Sequence, residues 1–152
     1  MRLILKPIET ERKLMEQYLD HEFCEEVFKV YETFCQKVGF NRPWIGYFAL
    51  YDNQVLGVGG YMGAPAAGKV ETGYGTVPGN EGRGIATEIC RQLTNIALAE
   101  VPHLTITART LRKENASTNI LRKCRFKLLG TAEDPEYGLA WEWEFSNTFP
   151  AK

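Results

Sequence analysis

The period of the apolar positions changes several times along the chain, and each change marks an element. RLILK alternates around Leu3 and Leu5 and predicts a short first strand that Pro7 stops. Two helical stretches follow. From near Glu9 to Asp20, Leu14, Tyr18 and Leu19 fall together; from about Glu22 to Val38, Phe23, Val27, Val30, Phe34 and Val38 recur at spacings of 3, 4 and 7. IGYFALYDNQVLGVGGYMG predicts a hairpin, Ile45 to Tyr51 and Gln54 to Met62, turned at Asp52-Asn53, and KVETGYGTV a strand closed by Pro78. From Gly84, the spacing of Ile85, Ile89, Leu93, Ile96 and Ala97 fits one face of a helix reaching about Glu100. HLTITARTL then reads as a strand and ASTNILRKC as a short helix with Ser117 near its start. FKLLGT and LAWEWEF close the chain as strands, the last alternating Trp141, Trp143 and Phe145. The order β-α-α-β-β-β-α-β-α-β-β predicts a mixed α/β domain.

One junction in this order carries chemistry. VPGNEGRGIAT, Val77 to Thr87, holds Gly79, Gly82 and Gly84 within six positions, just before a helix begins. Glycine costs backbone entropy on folding, so a cluster of it serves positive φ or close approach by another group. Strand, glycine turn and helix together aim unpaired N–H groups and the positive end of a helix dipole at an anion, for which phosphate is the natural guest. Ile85 stands where a Walker A motif needs lysine, and Thr87 where the dinucleotide fingerprint needs its third glycine, so neither nucleotide motif is present. The spacing left is Gly82-x-Gly84-x-Ala86, with Arg83 between the glycines and a Thr87 hydroxyl in the first turn; a turn serving only chain reversal is the alternative.

Composition narrows the class. The 152 residues suit a single domain over 1–152, and 44% hydrophobic with 24% charged residues is the balance of an ordinary globular protein. A net charge of −1 gives no basic footprint for nucleic acid. Cys24, Cys35, Cys90 and Cys124 have neither zinc-site pairing nor the density of a disulfide scaffold, which predicts reduced thiols in a cytoplasmic protein. The first apolar run is too short for a signal sequence, and no stretch reaches the roughly 20 residues of a membrane span. His21 and His103 form no ligand pattern, so no metal is expected.

VETGYGTVPGNEGRGIATEI together with ENASTNILRKCRF resembles the GNAT superfamily of N-acetyltransferases, in particular its RimJ/RimL-like branch. The resemblance covers nearly the whole chain and is strongest from Val70 to Phe126. It implies a twisted, mostly antiparallel mixed sheet of about seven strands flanked by four helices. It also implies a coenzyme loop, which assigns the pyrophosphate of acetyl-coenzyme A to Gly82, Arg83, Gly84, Ile85, Ala86 and Thr87, beside Val77. Asn115 resembles the family's coenzyme-contacting asparagine, one residue closer to Ser117 than the usual spacing. The family signature has Gln or Arg where Glu81 stands, and an acid beside pyrophosphate is unfavourable unless it points away. A bulge that splays the fourth strand from the fifth is a further family feature, and Gly73 and Gly75 suit one.

Acetyl transfer to an amine needs a neutral nucleophile, yet alkyl amines, with pKa from about 8 to about 10.4, are mostly protonated near pH 7. Glu71 matches the strand glutamate that serves many GNAT enzymes as general base; a solvated or ion-paired strand glutamate is the plainer reading. The tyrosine that many members use to protonate the leaving thiolate is absent, because Leu121 stands there. Ser117 matches the RimL-like serine in that role, helix capping being the structural alternative, and Tyr137 is a rival donor. Arg125 replaces the glycine of a usual Gly-Phe pair and carries strain if that position is left-handed. Trp44 and Phe40, in the connection after the second helix, are expected near the acceptor.

The resemblance thus implies an acetyl-coenzyme A dependent N-acetyltransferase working by direct attack in a ternary complex. A non-catalytic acyl-coenzyme A sensor, an O-acetyltransferase and a different acyl donor stay open. So do the acceptor, whether protein N-terminus, aminoglycoside, polyamine or amino acid, and a homodimer as assembly state.

Overall fold

A computed structural model describes residues 2–146; Met1 and residues 147–152 of the expected 1–152 domain lie outside the described residues. The strands are β1 (Ile4–Pro7), β2 (Gly46–Tyr51), β3 (Gln54–Tyr61), β4 (Lys69–Thr76), β5 (Thr105–Thr110), β6 (Phe126–Asp134) and β7 (Gly138–Phe145). They form one sheet in the order β1-β2-β3-β4-β5-β7-β6. Among the described residues only β4 and β5 pair in parallel, joined by the crossover helix α2 (Ile85–Glu100); the other helices there are α1 (Glu22–Val38) and α3 (Ala116–Lys123). The mixed, mostly antiparallel sheet of seven strands is as the resemblance implied.

The helix expected near Glu9 to Asp20 is instead two 3-10 turns, Arg12–Leu14 and Glu16–Tyr18, so among the described residues three α-helices flank the sheet rather than four. Short bonds such as Met15 N–H to Arg12 O and Tyr18 N–H to Met15 O close these turns. The tighter winding stacks positions three apart, which buries Met15 and Tyr18 together against Phe28 and Phe48. Burial of those side chains outweighs the weak helical propensity of so short a segment.

Two cores lie on opposite faces of the sheet. On one, α2 and α3 cover Tyr47, Ala49, Val70, Ile106 and Trp143; on the other, α1 and the 3-10 turns cover Ile8, Phe48 and Leu50. Alternation along β2 sends Tyr47 and Ala49 to one core, Phe48 and Leu50 to the other. The helix α2 lies so close to β3 that a Cβ on Gly59 would sit 2.4 Å from Ile89 Cγ2 and 3.1 Å from Leu93 Cδ1. Glycine is needed there for space. The Tyr61 hydroxyl, donating to Leu93 O at 2.5 Å, anchors the same approach.

Histidine 21 caps α1, its Nδ1 accepting from Phe23 N–H at 3.0 Å. Arg125, just past α3, has φ of 69°, the left-handed geometry in which an arginine is strained.

Gly59→Ala should therefore destabilise the fold by about 1–3 kcal/mol, the usual cost of overpacking. Pairing it with Ile89→Ala, which removes the colliding Cγ2, should cost less in denaturant titrations than the two single changes added together. An unchanged midpoint for the single variant would mean that α2 does not rest on β3.

Candidate active site

Glycine geometry shapes the loop after β4. Gly79, Gly82 and Gly84 all hold positive φ, at 97°, 79° and 79°, and a Cβ on any of them would meet nothing within 4 Å. These glycines serve conformation rather than tight packing, and the space above them is open. Gly84 is the left-handed N-cap of α2 and has no side chain to cap it, and the first helical bond runs from Glu88 N–H to Gly84 O. The N–H groups of Ile85, Ala86 and Thr87 consequently have no intrahelical acceptor and sit at the positive end of the dipole. That arrangement suits an anion. Arg83 reaches Asn80 Oδ1 at 2.7 Å, and Glu81 turns back into the loop to accept from Gly79 N–H at 2.9 Å. Val77 is buried among the α1-side core residues, its N–H bonded to Leu56 O, so it braces the loop from beneath.

The sheet opens beside this loop. β4 pairs with β5 from Lys69↔Thr105 to Thr72↔Ala108 and then stops, whereas its antiparallel ladder with β3 continues to Thr76↔Gly57. β5 turns to β7, its last pair being Thr110↔Trp141. The edge of β4 from Gly73 to Thr76 is thus left without a strand partner on that side. The expected splay is present, but the ladder between β3 and β4 runs without a register shift, so no bulge at Gly73 or Gly75 produces it. Tyr74 instead projects across the opening, its hydroxyl donating to Ser117 O at 3.3 Å.

At the start of α3, Asn115 and Thr118 form a reciprocal cap. Asn115 Oδ1 accepts from Thr118 N–H at 3.2 Å, and Thr118 Oγ1 accepts from Asn115 N–H at 3.0 Å. Capping thus belongs to Asn115 and not to Ser117, and the amide oxygen of Asn115 is committed to it. Ser117 lies within the first turn, two residues past the cap, half-buried, with its carbonyl tied to Tyr74.

Glu71 faces the opposite side of the sheet, the same side as Gly73 and Gly75. Burial pushes its carboxyl above the ordinary range, Arg109 pulls it back, and Asp134 and Glu142 push it further up. Arg109 donates to Glu133 O at 2.9 Å and to Asp134 Oδ2 at 3.2 Å, and lies 3.8 Å from Glu142 Oε2; its buried Nε has no hydrogen-bond partner among the described residues. Asp134 is desolvated, yet bonds from Glu136 N–H, Tyr137 N–H and Arg109 outweigh that and lower its pKa. The same two N–H bonds, at 2.8 and 3.1 Å, fix the β6–β7 turn and bring Tyr137 near Glu71. The Tyr137 hydroxyl is pushed up by burial, then by the charges of Glu136, Asp134 and Glu71. One arginine thus faces three carboxylates, an arrangement that pushes a partly buried carboxyl above its ordinary range.

Next to this cluster, a cavity of about 570 Å³ lies between α1 and the β3–β4 ladder. Val27, Val30, Tyr31 and Phe34 of α1 form one wall; Val58, Met62, Gly73 and Gly75 form the other, and Glu136 closes one end. Phe40 and Trp44 do not line it. They pack on the α2 face, where Trp44 meets Tyr61 edge-on at 5.1 Å.

The structure thus gathers Glu71 and Tyr137 on the α1 side, and Ser117 and the loop amides on the other, with the opening between β4 and β5 between them. Sequence reasoning missed Arg109, Asp134, Glu142 and Tyr74. The signals were an arginine inside the apolar strand TITART and acids on the closing strands, both of which resemble ordinary surface charge. Among the described residues no His, Cys, Asp and Glu cluster could hold a metal ion, and all four cysteines are free.

Residues 2–127 match the family model described as acetyltransferase (GNAT) domain. No curated protein matches the sequence. Solved structures do. A variant of spermidine N-acetyltransferase SpeG from Vibrio cholerae superposes with TM-score 0.70 at 13% identity, covering 95% of this chain and 93% of its own. An acetyltransferase from Agrobacterium tumefaciens gives 0.65 at 18%, covering 95% and 91%. The aminoglycoside acetyltransferase AAC(6')-Ib, solved with coenzyme A and kanamycin, gives 0.70 at 13%, covering 96% and 95%.

A carboxyl raised on folding binds its proton more tightly in the native state, so its stabilising contribution is present at pH below the unfolded carboxyl value and is lost as pH rises through the native one. Glu71→Gln removes that loss. The variant should gain stability over the parent as pH goes from about 4 to 7, measured by urea midpoints at both pH values. A gap that does not widen would mean that Glu71 is not strained when ionised.

Proposed function

The chain belongs to the GNAT acetyltransferase family, and from that premise we propose that it transfers an acetyl group from acetyl-coenzyme A to a primary amine by direct attack in a ternary complex. One observation carries the reading: the unpartnered edge of β4 runs straight into a helix start whose first three amides lack acceptors. An extended amide-bearing arm ending in pyrophosphate complements both, strand edge to arm and helix start to phosphate. Gly82 to Thr87 would hold the pyrophosphate, with Arg83 as added cation. Asn115 stays with this group through its free amide nitrogen.

The amine would enter from the α1 side, where Glu71 removes its proton, directly or through a water. The freed nitrogen lone pair attacks the thioester carbon. As the C–S bond breaks, Ser117 offers its hydroxyl to the departing sulfur from the α3 side, with Tyr137 as rival from the other. No covalent enzyme intermediate is needed. The raised titration of Glu71 favours this work, because a base strong enough to take a proton near neutral pH must not be too acidic. Within the family, the Gly82–Thr87 and Asn115–Phe126 segments keep the RimJ/RimL-like branch as our reading, and a cytoplasmic location follows the four reduced thiols. No described helix is long and apolar enough to cross a membrane.

Glu71→Gln should lower turnover near neutral pH by about 10²–10⁴ while acetyl-coenzyme A still binds. The deficit should shrink as pH approaches the amine's own pKa, where free amine is supplied without a base. Near-full activity at pH 7 would remove Glu71 from the proton path.

Because Asn115 rather than Ser117 caps α3, Ser117→Ala should leave thermal stability unchanged and reduce kcat with little change in coenzyme affinity, since bonding to sulfur strengthens only as charge develops. Loss of stability with intact kcat would make Ser117 structural.

A further inference from the structure

Helix α1 carries an apolar stripe that the core uses only in part, Phe23 and Val27 packing against it while partly buried. Its fully buried side chains are Cys24 and Phe28, whereas Val30, in the stripe with Phe23, Val27 and Phe34, is 68% exposed. An amphipathic helix normally turns such a stripe inward. Here the stripe instead walls the 570 Å³ cavity, whose size falls in the ordinary range for small-molecule sites. Across from it the floor is glycine. A Cβ on Gly75 would meet only Val58 Cγ1, at 3.8 Å, so the space over the strand exists because no side chain fills it.

Charge is confined to one polarity. Among the described residues the charged ones lining the cavity are Glu26 and Glu136, and Glu71 lies two residues from Gly73 on the same face of β4. Glu26 is shared with Lys29 at 4.0 Å on the exposed surface, which leaves the Glu136 and Glu71 end as the more negative one.

Resting on the transferase reading, we propose that the acceptor is a primary amine carried by a bulky apolar group. The amine lies at the Glu71–Glu136 end, and the apolar body lies between the α1 stripe and the glycine floor. A polyamine or aminoglycoside would put cationic or hydroxyl groups against the half-buried Val27 and Phe34, which offer no hydrogen bond in place of the water displaced. An aromatic or branched aliphatic body gains there, and one methylene in such a pocket discriminates by about 10-fold or more. Two sources share this chemistry: a free hydrophobic amine and a peptide whose first residue is large and apolar.

The test measures binding by calorimetry and acetyl transfer by thiol release, with phenethylamine, the peptide Phe-Gly-Gly, the peptide Gly-Gly-Gly, spermidine and kanamycin. Phenethylamine or Phe-Gly-Gly should bind at least about tenfold more tightly than Gly-Gly-Gly, spermidine or kanamycin, and whichever of the two is preferred identifies the source. Val30→Asp, at an exposed helix position that tolerates charge, should weaken the apolar amines about tenfold and strengthen spermidine. Gly75→Ala, which raises the floor without strain, should weaken the apolar amines as well. Preference for spermidine or kanamycin, or apolar-amine affinity indifferent to both variants, overturns the proposal. Phenethylamine binding that both variants weaken, without any transfer, upholds the cavity's specificity and removes the transferase reading. Transfer to spermidine without phenethylamine binding keeps the transferase and removes the apolar acceptor.

Discussion

Past the Thr72–Ala108 pair, the parallel strands β4 and β5 share no further ladder bonds, and the candidate site is arranged about that parting. A sheet interior normally satisfies every backbone N–H and C=O, so a strand edge exposed in mid-sheet is costly unless another group pairs with it. β4 keeps its register with β3 to Thr76, while β5 follows β7. The tyrosine that spans the opening, Tyr74, ties β4 to the start of α3 and so holds the loop helix, the capped helix and the open edge in one arrangement.

The two faces of the sheet solve opposite packing problems. On one, Gly57 and Gly59 lack side chains so that Ile85, Ile89 and Leu93 of α2 can press on the strand, which fixes where the amide-bearing N-terminus of α2 lies. On the other, Gly73 and Gly75 lack side chains with no helix pressed on them, because α1 stands off over Phe28 and Cys24 and leaves the cavity. The same residue type produces contact in one case and space in the other, according to what faces it.

Electrostatic tension is concentrated at Glu71. Its carboxyl is partly buried among Asp134 and Glu142 with a single arginine between them, and Arg109 spends its donors on Glu133 O and Asp134 first. Ionising Glu71 is therefore disfavoured, a state that lowers stability at neutral pH and raises basicity. Sites that move protons commonly hold groups in this condition.

The local signals in the sequence were enough for the strands, the crossover helix, the glycine loop and the position of Glu71, because each follows from near neighbours: period, turn residues and a helix start. The left-handed strain at Arg125 was legible only through the family resemblance, in which a glycine stands at that position. Where burial competes with period, the same signals misled. The residues around Met15 wind as 3-10 turns because tighter winding buries them. The stripe from Phe23 to Phe34 lines a cavity, since its partner face on β4 is glycine. Phe40 and Trp44 pack on the α2 side rather than along the cavity under α1, and Arg109, Asp134 and Glu142 meet only through three strands distant in sequence. Periodicity states that a face is apolar. What that face meets depends on distances between elements far apart in the chain, and those are set only when the sheet closes and the helices dock.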